Sequence, residues 1–310
     1  MIGKTVSHYR ILATVGIGGM SVVYKAQDTR LGRLVALKFL MEKFCRDPES
    51  LERFQQEART ASALNHPGIC TIHDIDRHRE QPFIVMEYLE GETLRDKLRA
   101  RGLTMKEAVG CGFHIADVVS RAHRVGIVHR DISPANLFIT LDGRVKLLDF
   151  GIAKEMSVDW TSRKVMTSKA SHLTLTGTIQ YMSPEQALVQ EVDTRSDIFS
   201  IGVVLYEMLT GQRPFSGPTL TAVIDQIVKV TPPCVGDLVP NIPSAVQRIV
   251  SKCLEKRPEQ RYQTAERLRE DLKLTARTST LDMERRVKSS APSMSSAKTI
   301  PDTTHAKELV

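Results

Sequence analysis

His129-Arg130-Asp131-Ile132-Ser133-Pro134-Ala135-Asn136 is the stretch on which the reading of this chain turns. It places a carboxylate and an amide in a short proline-bearing loop between regular elements. Before it, Thr104-Met105-Lys106-Glu107 has the pattern of a capping box, in which the threonine hydroxyl and the glutamate satisfy each other's backbone amides. The helix so opened runs to about Val125, and Gly126 suits its left-handed C-terminal position. After the stretch, Leu137–Thr140 and Val145–Leu148 read as short strands around Asp142-Gly143, a favoured hairpin turn. The hairpin delivers Asp149-Phe150-Gly151. Asp131, Asn136 and Asp149 are therefore oxygen-bearing side chains set on loops, where chemistry concentrates.

Upstream, Tyr9–Val15, Val22–Gln27 and Leu34–Leu40 read as strands separated by glycine or charged turns. Asp47-Pro48 looks like a helix start with proline at the first helical position, and Leu51, Phe54, Ala58 and Ala61 then share one face. Ile69–Ile75 and Phe83–Glu87 read as two more strands. Downstream, helices are predicted at 184–189, 196–210, 219–229, 243–254 and 264–274. Strands and one helix first, mostly helices afterwards, predict an α+β fold.

Within the first part, Gly16-Ile17-Gly18-Gly19-Met20-Ser21-Val22-Val23 joins two strands, and such glycines let backbone N–H groups approach phosphate oxygens. By itself the loop is equally a plain hairpin turn. Val35-Ala36-Leu37-Lys38 follows on the third strand. An inward-facing lysine there needs an anion, which a polyphosphate or Glu57 on the following helix could supply. Taken singly, each is an ordinary surface charge.

Phosphoryl transfer asks a protein mainly to position reactants and neutralise charge. A carboxylate must meet the incoming hydroxyl, which Asp131 can do. Oxygen ligands must hold a hard cation on the phosphates, which Asn136 and Asp149 can do. With glycine loop, lysine, HRD, DFG and PE motifs in that order, the chain resembles the eukaryotic-type (Hanks-type) Ser/Thr protein kinases. Gly18-Gly19-Met20-Ser21, Leu64-Asn65-His66-Pro67 and Tyr181-Met182-Ser183-Pro184-Glu185-Gln186 resemble the bacterial branch of that family.

The resemblance implies a bilobal fold. An N-lobe of about 9–87 would hold a five-stranded antiparallel sheet plus one helix, a hinge would span 87–90, and a mostly helical C-lobe would run from about 91 to 275. It implies ATP and magnesium as cofactors. Asp131, Lys38 and Asn136 would be catalytic, and Asn136 and Asp149 would hold the metal. Gly16, Gly18, Val23, Ala36, Lys38, Glu57, Glu87, Leu89 and Phe138 would serve the nucleotide, with Met86 as gatekeeper and Glu87-Tyr88-Leu89 as the adenine-binding hinge. Glu185 would pair with Arg261, and Asp197 would brace the catalytic loop. Ala61, Ile72, His129 and Phe150 would stack as a spine. Arg130 would receive a phosphate on the activation segment, with Thr174 and Thr176 as the sites. Protein Ser/Thr hydroxyls would be the acceptors, with self-association for trans-autophosphorylation.

One position departs from the family's loop. Where the Ser/Thr class has lysine two residues after the catalytic aspartate, this chain has Ser133, and Ala135 supplies no compensating arginine. The alternative reading is therefore a pseudokinase or ATP-binding scaffold.

Composition narrows the rest. The 310 residues carry a formal charge of +7, but no run of five or more Lys/Arg, so nucleic acid is not an expected partner. Five cysteines without a CxxC pair argue for a reducing compartment, the cytoplasm. Met1 to Arg10 has no apolar signal region. The apolar run Ile198–Leu209 is too short for a bilayer and contains Glu207, which predicts a buried helix. Residues 276–310 are Ser/Thr/Lys-rich, which predicts a disordered tail after a domain at 9–275.

Overall fold

The computed structural model describes residues 1–149 and 179–276, all within one compact unit spanning Met1–Ala276. An antiparallel sheet opens the chain: β1 (Thr5–Val6), β2 (Tyr9–Ile17), β3 (Ser21–Asp28), β4 (Leu34–Leu40), β5 (Ile72–His78) and β6 (Gln81–Glu87), in the order β1-β2-β3-β4-β6-β5. Its strand count corrects the expected five. The additional strand is two residues long, too short to show any alternation, yet Val6 is buried with Tyr9 and Ile11.

The fifth strand also starts later than its sequence suggests. Ile69 bridges to Leu147, and the Cys70 amide donates to the Leu147 carbonyl at 3.0 Å. Pairing with the C-terminal hairpin therefore takes this segment out of the sheet, a tertiary override of local β propensity.

Because strand side chains alternate, β4 serves two layers. Val35, Leu37 and Phe39 join Tyr9, Ile11, Phe83 and Val85 in an outer core. Leu40 and Ile84 pack instead with Phe54 and Ala58 of α1 (Pro48–Ser62). Asp47 caps α1 by accepting from the Ser50 amide at 3.1 Å. Burying a side chain such as Phe54 is worth about 1.5–3 kcal/mol, which ties α1 to the sheet.

The second lobe is helical. It holds α2 (Leu94–Ala100), α3 (Met105–Arg124), α4 (Pro184–Ala187), α5 (Thr194–Thr210), α6 (Leu220–Lys229), α7 (Val235–Leu238), α8 (Ser244–Cys253) and α9, at residues 265–276. A small sheet, β7 (Gly91–Thr93), β8 (Leu137–Thr140) and β9 (Val145–Leu147), lies in the order β7-β8-β9. Gly91, at φ +146°, is needed there: a Cβ would sit 2.0 Å from the Ile139 carbonyl oxygen. The α3 capping box forms as read. Helix α5 is buried nearly all round, as an apolar helix at the centre of a domain should be. Glycines let it approach its neighbours closely: a Cβ on Gly112 of α3 would lie 2.5 Å from Leu205, and one on Gly202 would lie 2.5 Å from Cys253 of α8. Among the described residues, no helix is long and apolar enough to cross a membrane.

Candidate active site

The layer alternation of β4 sets the first half of the site. With Leu37 and Phe39 turned outward, Lys38 faces α1, and its ammonium contacts Glu57 at 2.8 Å and Asp149 at 2.7 Å. Only 8% of the lysine side chain is exposed. Burial alone would lower the lysine pKa, but the two carboxylates outweigh it and hold the ammonium charged. Burial pushes Glu57 up to about 7, against the pull of Lys38. Asp149 ends below its ordinary value because Lys38 outweighs its loss of solvation. Helix, strand and the end of the β8–β9 hairpin thus meet at one cation.

The second half is the loop from His129 to Asn136. The Asn136 side-chain amide donates to both the backbone carbonyl and Oδ2 of Asp131, each at 2.9 Å. That leaves the amide oxygen as the atom Asn136 can offer a metal. The Leu148 amide donates to the Asn136 carbonyl at 2.9 Å, coupling the loop to the residue before Asp149. Asn136 and Asp149 each carry a side-chain oxygen of the kind a hard cation prefers. Among the described residues no cluster of three or more His, Cys, Asp or Glu could hold a metal. Two hard donors suit a cation that completes its shell with phosphate oxygens and water.

Asp197, at the start of α5 and 1% exposed, fixes the backbone of this loop. Its carboxylate accepts from the amides of His129 and Arg130, both at 2.8 Å, and from His123 Nε2–H at 2.7 Å. These donors, led by His123, outweigh burial and keep Asp197 ionised. Arg130 takes a left-handed φ of +66°, and its carbonyl accepts from Gln186 Nε2 at 2.9 Å. His123 was not anticipated. Its signal lies in the helix period: with Ala116, Val119 and Ser120 it completes an i, i+3, i+4, i+7 stripe on the buried side of α3.

Other expected residues are placed by strand pairing. Val23 pairs in register with Lys38, and Ala36 with Met86; Phe138 sits on β8 opposite Lys146. Gly16 is on β2, and the Gly18 amide donates to the Ser21 carbonyl at 2.8 Å. A Cβ on Gly18 would meet only ordinary contacts, so the protein's own packing does not demand glycine there. Lys38, Glu57, Ala61, Ile72, Met86 and Asp149 line one cavity. The Glu87 carboxylate has a structural use that sequence reading missed: it accepts from Lys146 Nζ at 2.5 Å and the Thr71 amide at 2.7 Å. Leu89 follows in the connection toward β7.

Farther along, Arg261 is fully buried and grips Glu185 through two bonds, and Tyr181 donates to Glu207 at 2.6 Å. Ser183 and Gln186 form a second capping box, on α4. Phe150, Gly151, Thr174, Thr176 and Thr178 lie outside the described residues; of the expected spine, Ala61 and Ile72 share the core of the second lobe and His129 is buried.

The protein kinase domain family matches residues 9–272 of this chain. A probable serine/threonine-protein kinase of Streptomyces coelicolor is 43% identical over 269 residues, covering 85% of this chain and 39% of that protein. The serine/threonine-protein kinase PknB of Mycobacterium tuberculosis is 41% identical over 269 residues, covering 85% and 42%. This chain thus spans about two fifths of the length of these relatives. The crystal structure of the Mycobacterium tuberculosis PknI kinase domain is similar with a TM-score of 0.67 at 25% identity, covering 88% of this chain and 98% of that one.

Proposed function

The chain belongs to the protein kinase domain family, in its bacterial Hanks-type Ser/Thr branch, and from that premise we propose that it transfers the γ-phosphate of ATP to serine and threonine hydroxyls of proteins. Membership implies ATP and a divalent metal in general terms. The observation that carries the reading is the convergence of Lys38 on Glu57 and Asp149, together with an Asp131 tied to Asn136.

Lys38 presents its ammonium to the α- and β-phosphates, and Glu57 keeps it aimed. Gly16 and Gly18 let backbone amides approach the phosphates. Val23, Ala36 and Phe138 sandwich the adenine, whose edge meets the backbone of Glu87 and Leu89 behind the Met86 gatekeeper. Asn136 and Asp149 would hold a divalent cation, magnesium, which would supply charge neutralisation on the phosphates. Asp131 orients the acceptor hydroxyl and takes its proton as the new O–P bond forms and the bond to the ADP oxygen breaks. Ser133 leaves this step without the family's extra cation, so the reaction is slow but intact. Thr174 and Thr176 are the autophosphorylation sites, and Arg130 receives the phosphate. The catalytic unit is 9–275 and the tail 276–310. All five cysteines are free thiols, which supports a cytoplasmic setting.

Mass spectrometry of the purified chain after incubation with Mg-ATP tests this. Phosphate on serine or threonine is the expected result. No transfer to itself or to a generic protein substrate would replace the reading with that of a pseudokinase.

A further inference from the structure

The neighbourhood of the catalytic loop is unevenly charged. The loop contributes no cation at Ser133 or Ala135, while Arg95 of α2 stands against the loop and Arg213 stands beside the Glu207–Tyr181 pair. Arg95 on α2 is held against the loop by its own backbone, whose amide donates to the Pro134 carbonyl at 2.9 Å. Its side chain is 52% exposed, with Asp96 at 4.0 Å as its described ion-pair partner. That carboxylate is itself engaged by the Thr93 hydroxyl. Arg213 lies just beyond the end of α5, 41% exposed and 3.7 Å from Glu207. Glu207 in turn accepts the Tyr181 hydroxyl. Tyr181 stands near the end of the activation segment. Burial and Glu207 raise its pKa, against the charges of Arg213 and Arg95.

Resting on the kinase reading above, we propose that Arg95 and Arg213 form an acid-selecting rim, and that the substrate is a protein segment with Asp or Glu flanking the acceptor hydroxyl. The chemistry follows from what the rim lacks. The one carboxylate tied to Tyr181, Glu207, is occupied by the phenol and faces Arg213, so it is not offered to a basic substrate. Among the described residues, the ion-pair partner of Arg95 is a distant, shared carboxylate. Guanidinium forks match carboxylates in geometry as well as charge, and an incoming acidic side chain would complete them. A basic side chain would meet like charge, which is how such rims reject wrong partners.

The test is a set of threonine peptides identical except for Glu, Gln or Lys placed in turn on either side of the acceptor, assayed with the full chain for kcat/KM. One exposed ion pair is worth up to about fivefold. Exchanging attraction for repulsion should therefore give Glu over Lys by about tenfold at one or more positions. Arg95→Glu and Arg213→Glu should each reduce that ratio, and together invert it; Arg95→Gln should reduce it without inversion. Equal use of Glu and Lys peptides, a preference for Lys, or a ratio unmoved by the substitutions would overturn the rim alone. Absence of phosphotransfer to every peptide and to the chain itself would overturn the kinase reading and the rim with it.

Discussion

Glu185 and Arg261 are joined by two parallel hydrogen bonds, Nη1 to Oε1 at 2.7 Å and Nη2 to Oε2 at 2.9 Å, in a site where the arginine side chain is wholly buried. Arg261 also donates to the carbonyls of Glu255, Lys256 and Arg195, and Ser196 donates to Glu185. The pair thus staples the end of the activation segment to the loop before α9. Removing one partner strands a buried charge, at a cost of about 3–5 kcal/mol. Glu185→Ala should lower the melting temperature sharply. The pH dependence has a definite sign. Arg261 and Ser196 outweigh burial and hold the Glu185 carboxyl below its ordinary 4.5. Its stabilisation is therefore present above pH 4.5 and is lost as pH falls through the folded value. The gap in melting temperature between wild type and Glu185→Gln should narrow as pH drops below 4.5. A gap that widens there would contradict the assignment.

Lys38→Ala leaves Glu57 and Asp149 facing each other without their common cation. Phosphotransfer should fall to background, and nucleotide binding followed by fluorescence should weaken. Asp149→Asn should raise the magnesium concentration needed for half-maximal rate. Full activity in Lys38→Ala would remove this lysine from the phosphate site.

Thr174 and Thr176 should carry phosphate after incubation with Mg-ATP, as read by peptide mass spectrometry. The double alanine variant should be slower if a phosphate there must pair with Arg130 to organise the segment. Wild-type rates in that variant would dismiss this form of regulation.

Ser133→Lys should raise kcat by about tenfold or more, the equivalent of about 1.4 kcal/mol. Charge-assisted bonds are roughly twice as strong as neutral ones, and the missing contact belongs mostly to the transition state, so the Kd for ATP should change little. A slower Ser133→Lys enzyme would mean that another cation already occupies the position.

Gly202→Ala tests the packing of α5 on α8. The new Cβ would lie 2.5 Å from the Cys253 Cβ, an atom that cannot swing aside. Overpacking of this kind costs about 1–3 kcal/mol, so denaturant unfolding should shift to lower midpoint with unchanged slope. Replacement without loss would show that the two helices can separate at this point.

Much of the site was legible because its residues sit at element boundaries that sequence marks strongly. Asp47-Pro48 starts α1 where expected, Thr104 and Glu107 cap α3, and Asp142-Gly143 turns the hairpin that brings Asp149 toward Lys38. What escaped were partnerships made by tertiary contact. The Lys146–Glu87 bond joins residues on different sheets, and Ile69 leaves its strand to bridge Leu147. Nothing in the local pattern of either segment announces its partner. The strand at Thr5–Val6 was invisible for a different reason: two residues cannot display a period of two.

Asp197 grips the amides of His129 and Arg130, groups that every non-proline residue possesses. The course of the backbone at these two residues is thereby set from α5. The entry to the catalytic loop and the core of the helical lobe are therefore one mechanical unit, so that a shift of α5 would carry Asp131 with it.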